Sequence, residues 1–118
     1  MLSRPLAITA AALTLAACGG NAAAQPAKSA DNIRVCQHYR TQRAHVKNLA
    51  MPTLTDAIQF ETWVALDAQQ ATPGTAVARD LADLSAAQRD TNGPQSAVYD
   101  ASTRVLTDCT ALGVTFQP

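Results

Sequence analysis

From Asp31 onward, apolar residues recur every three or four positions, and this period limits the chain to packed helices. No stretch alternates with a period of two, so a sheet is not expected. The breaks fall at helix-stopping chemistry. Asp31 is placed to cap a first helix running to about Ala50, with the stripe Val35, Tyr39, Gln42, Val46 and Leu49, and with Ile33 and Cys36 on its flank. Met51-Pro52 stops it. Thr53 with Asp56 three residues on forms a capping box for a second helix carrying Leu54, Ala57, Ile58, Phe60, Trp63, Val64 and Leu66 to near Ala71. Thr72-Pro73 reads as the N-cap and first-turn pair of a third helix, with Val77, Leu81 and Leu84 facing inward. Asp90-Thr91-Asn92-Gly93 breaks the chain again. Pro94 begins a fourth helix with Val98, Ser102, Val105, Cys109 and Leu112. Gly113 sits at C′ and Val114 is its apolar companion. Short connections force neighbouring helices antiparallel, so the expected fold is all-α: a small up-down-up-down four-helix bundle over residues 31–118.

The first 30 residues follow a different rule. Residues 1–5 carry one positive charge, Arg4, and Leu6 to Ala17 is an apolar run broken only by Thr9 and Thr14. That run is short for a bilayer span and suits a signal-peptide h-region. It closes with Leu15-Ala16-Ala17-Cys18. This resembles the lipobox of bacterial lipoproteins: an aliphatic residue, two small residues, then the cysteine whose thiol receives diacylglycerol. The resemblance covers the leader alone. It implies a signal peptide over 1–17, acylation of Cys18 including palmitate, and anchorage outside the cytoplasm on the cell membrane or outer membrane. The competing processing site is Ala22-Ala23-Ala24 before Gln25, which suits the general signal peptidase and would release a soluble product. Residues 18–30 hold no large apolar side chain and read as the acylated cysteine and a flexible tether, with a root-mean-square span of roughly 20 Å.

Export also assigns the other two cysteines. In an oxidising compartment, Cys36 and Cys109 are expected to form a disulfide. Cys36 lies about one turn after the start of the first helix, and Cys109 about one turn before the end of the fourth. An even number of antiparallel helices brings those levels together, whereas three helices would hold them apart.

Charge is organised in one place. Nine basic and nine acidic residues cancel, so no global field draws the chain to nucleic acid. Arg34, Arg40, Arg43 and Lys47 nevertheless make residues 32–50 about +4, against eight acids and three arginines over 51–118. A helical wheel spreads the four cations over more than one face, so the plain reading is a solvated basic helix. The sharper one is a helix facing anionic headgroups or an acidic partner.

The remaining candidate residues are His38, Tyr39 and Trp63. His38 and His45 are seven apart, about 10 Å along a helix, so no metal is expected to join them and no metal site is assigned. Tyr39 beside His38 raises a haem-ligand reading. Trp63, with Phe60 and Leu66, widens the apolar face of the second helix and is a candidate anchor for a partner. Asp80, Asp83 and Asp90 read as a solvated acidic face. There is no Gly-x-Ser-x-Gly, no phosphate-cradling glycine loop and no His-Glu-x-x-His, so no catalytic residue and no cofactor is assigned. The functional expectation is a non-enzymatic, membrane-anchored binding or scaffold module with an envelope-protein partner. The alternative is a carrier of an apolar small molecule or haem between helices.

Overall fold

The computed structural model describes residues 28–117. The leader, Cys18 and all but the last three residues of the tether lie outside them. Four helices follow in order: α1 (Ala30–Lys47), α2 (Leu54–Gln70), α3 (Ala76–Arg89) and α4 (Gln95–Ala111). No strand occurs among the described residues. Each helix packs chiefly on its neighbours in sequence, while α1 and α4 meet over a short stretch only.

The closure of that stretch is covalent. Cys36 and Cys109 form a disulfide with their Cα atoms 5.5 Å apart, so the first and last helices are joined near the end of the bundle where α1 starts and α4 stops. The core runs through the same level. Val35, Tyr39, Val64, Val77, Leu81, Leu84, Ala101 and Val105 are all buried around the two cysteines. Each large aliphatic residue there contributes roughly 1.5–3 kcal/mol by leaving water.

Local chemistry explains most of the boundaries. Thr53 and Asp56 form the expected capping box, with the Asp56 backbone N–H donating to Thr53 Oγ1 and the Thr53 N–H donating to Asp56 Oδ2. Those bonds, backbone first, hold the Asp56 carboxyl below its usual pKa. At the other end of the chain, Gly113 adopts φ +92°. The Gly113 N–H donates to the Thr110 carbonyl and the Val114 N–H to that of Cys109, a complete Schellman closure.

Two caps differ from the sequence expectation. The N-cap of α1 is Ser29, whose Oγ accepts from the Asn32 N–H; Asp31 sits inside the first turn and pairs with Arg34 at 2.8 Å. The N-cap of α3 is Thr75, and Thr72-Pro73-Gly74 forms a turn ahead of it, with Gly74 at φ +80°. Asn32 is the physical reason for both shifts. Fully buried, it accepts from the Thr72 N–H (2.9 Å) and donates to Thr75 Oγ1 (3.3 Å), while Ser29 Oγ lies 2.7 Å from Thr72 Oγ1. This polar knot ties the start of α1 to the α2–α3 turn and fixes where both helices begin.

One flank of α2 is left uncovered. At about 100° per residue, Leu54 and Ile58 fall on the flank away from the stripe of Phe60, Val64 and Asp67 that packs into the bundle. Leu54 and Ile58 are 77% and 54% exposed, and Met51 in the preceding loop is 84% exposed.

Candidate functional site

The residues singled out from sequence go to different places. His38 and Trp63 meet in the groove between α1 and α2, with ring centroids 5.1 Å apart in an edge-on arrangement. Tyr39, the next residue after His38, is rotated by about 100° and enters the core. There it packs on Phe60 and on Phe116 of the C-terminal tail, at centroid distances of 6.0 and 6.1 Å. Burial pushes its hydroxyl up to about 12. The pair that a haem would need thus points into separate spaces. His45 is exposed, two turns farther along α1.

The groove adds a residue that sequence reasoning missed. Asp67 of α2 is 2% exposed, and its Oδ1 lies 2.7 Å from His38 Nδ1. The contact orients the ring through Nδ1 and leaves Nε2 turned away from Asp67. The other oxygen, Oδ2, is buried without a hydrogen-bond partner. Desolvation raises the Asp67 carboxyl above its usual range, and the bond to His38 opposes that rise. Arg34, Val35, Leu66 and Gln70 complete a cleft of about 170 Å³ around the pair. Chemically the arrangement orients an imidazole and offers one ring nitrogen for proton or hydrogen-bond exchange. A sequence signal for Asp67 exists, because Phe60, Val64, Asp67 and Ala71 follow one helical stripe and an acid on a core stripe requires a partner.

No known protein family, curated protein or solved structure matches this chain.

A second polar cluster lies between α3 and α4. Asp80, expected on a solvated face, is only 3% exposed. The reason is its position between Val77 and Leu81 on the buried side of α3. Arg104 Nε approaches its Oδ1 at 3.3 Å and Arg79 Nε at 3.6 Å, and Arg104 also reaches Asp83 at 3.6 Å. Across the interface Asp108 keeps Oδ2 buried and unpartnered. Burial, with a hydrogen bond and charge repulsion from Asp80, pushes the Asp108 carboxyl up to about 7 against the pull of Arg79 and Arg104. Among the described residues no group of three His, Cys, Asp or Glu side chains is arranged to hold a metal ion, and no helix is long and apolar enough to cross a membrane.

Proposed function

We propose that this protein is an exported binding module, anchored through acylated Cys18, that presents the exposed start of α2 to a protein partner in the cell envelope. The observation that carries this reading is the exposed apolar surface of Met51, Leu54 and Ile58. Leu54 and Ile58 are four apart and share one helix face. The occupant is an apolar patch on an envelope protein, and the direction of the tether supports that choice. Residue 28 enters at the start of α1, while Met51 follows its end. The 18 residues of α1 separate the two by roughly 27 Å, so an anchored domain holds Leu54 and Ile58 away from its own attachment point.

The test places a photo-crosslinking residue at Leu54, or at exposed Thr103 on α4, in the producing cell. A discrete adduct from position 54 that is absent from position 103 and lost in an Ile58→Lys variant is expected. The same adduct from both positions, or none from either, overturns the docking surface. Intact mass of the isolated protein tests the anchor separately: a chain beginning at Gln25 removes the anchor and leaves the crosslinking result standing.

A second reading, a carrier of a small apolar molecule, has one observation in its favour. A space of about 210 Å³ opens where all four helices meet, lined by Tyr39, Phe60, Leu84 and Val98 among others. Buried apolar cavities of about 150 Å³ hold benzene-sized guests, whereas drug-sized ligands need roughly 300–1,000 Å³. The space therefore suits a guest of a few heavy atoms and is too small for haem. Native mass spectrometry of the purified protein tests this reading: a bound mass of that size supports it, and a clean apo mass that persists on adding benzene removes it.

A further inference from the structure

Arg40, Arg43 and Lys47 are spaced three and four apart, so although the four cations of α1 are spread over more than one face, these three share a flank. That flank forms one wall of a groove of about 320 Å³ whose other wall is the C-terminal tail, with Phe116 and Gln117. We propose that this groove binds a phosphoryl anion, as a phospholipid headgroup or as a soluble phosphate. Neither acylation of Cys18 nor the Leu54 surface is needed for such a site.

Three observations support it. Among the described residues, no carboxylate lines the groove. The arginines near acidic neighbours are engaged by them, Arg34 by Asp31 and Arg104 by Asp80 and Asp83. By contrast, neither Arg40 nor Arg43 has a carboxylate partner among the described residues. Arg43 is nevertheless held in place: its guanidinium lies 6.0 Å from the Phe116 ring centroid and donates to the Gln117 carbonyl at 3.5 Å. A guanidinium held beside a ring through one N–H contact keeps other N–H groups for a further acceptor, and its planar fork matches two oxygens of a phosphate. Arg40 stands one turn before Arg43 on the same flank of α1, so the two guanidinium groups can share one phosphoryl group.

The experiment follows the arginine Nε–H resonances of the mature chain by nitrogen-15 NMR. One arm titrates inorganic phosphate; the other compares phosphatidylcholine nanodiscs with and without phosphatidylglycerol. Shifts at Arg40 and Arg43, with Arg34, Arg79, Arg89 and Arg104 unmoved, are expected in at least one arm. A response to phosphate alone assigns a soluble ligand, and a response to phosphatidylglycerol alone assigns a headgroup. An Arg40→Gln/Arg43→Gln variant is expected to bind the responding probe about 30-fold more weakly, the product of two surface-cation contributions, while Arg89→Gln changes binding less than twofold. No shift at Arg40 and Arg43 in either arm overturns the site. An equal loss in Arg89→Gln also overturns it, since it would reduce the effect to net charge.

Discussion

Substituting Asp108 with Asn should make the protein more stable at alkaline pH and leave it nearly unchanged in mild acid. In the folded chain the Asp108 carboxyl is pushed from 3.8 to about 7 by burial and by Asp80. A group whose pKa is raised on folding stabilises the native state only while protonated. Its contribution is complete below pH 4 and is lost as pH rises to about 7, because ionisation is then easier in the unfolded chain. At about 1.36 kcal/mol per pH unit, moving from 3.8 to about 7 corresponds to roughly 4 kcal/mol in a sealed site. Asp108 is only partly buried, and Arg79 and Arg104 stand nearby, so solvent screening reduces the realised figure to about 1–2 kcal/mol. For a domain of this size that is roughly 6–12 °C in Tm. The assay is thermal unfolding of wild type and Asp108→Asn at pH 4.5 and pH 8. Asp67 also has a raised pKa and contributes with the same sign, so the difference between the two proteins isolates Asp108. An advantage of the Asp108→Asn variant that is equal at both pH values, or a wild type that gains relative to the variant on going to pH 8, would refute the reasoning.

Three further outcomes follow from the packing. Replacing Cys36 and Cys109 with Ala should lower the unfolding free energy in urea by up to about 4 kcal/mol, given a separation of 73 residues; a loss below about 1 kcal/mol would mean that the reduced chain is already constrained. His38→Ala should cost about 1–3 kcal/mol at neutral pH by leaving the Asp67 carboxylate buried and unpaired, and much less in an Asp67→Asn background. Equal costs in both backgrounds would show that the pair is not coupled. Asn32→Ala should cost about 1–3 kcal/mol by stranding the Thr72 N–H, and hydrogen exchange should rise first at the α2–α3 turn; unchanged exchange there would show that the knot does not hold the turn.

The amino-acid sequence alone determined the helix count, the capping box at Thr53 and Asp56, the closure at Gly113 and the pairing of Cys36 with Cys109. Each depends on contacts a few residues apart or on the parity of antiparallel segments, and such information is local or topological. Tertiary structure decided the rest. Asp67 and Asp80 take their roles from partners 29 and 24 residues away on other helices, and a polar residue on a core stripe does not announce which partner will satisfy it. The true starts of α1 and α3 were set by Asn32 reaching across to Thr72 and Thr75, a contact that overrode the nearer capping signals. Leu54 and Ile58 are apolar but exposed because they sit on the flank of α2 turned away from the stripe of Phe60, Val64 and Asp67 that packs on the other helices. Periodicity marks which residues of a helix are apolar, but only the packed neighbours decide which of its flanks is buried.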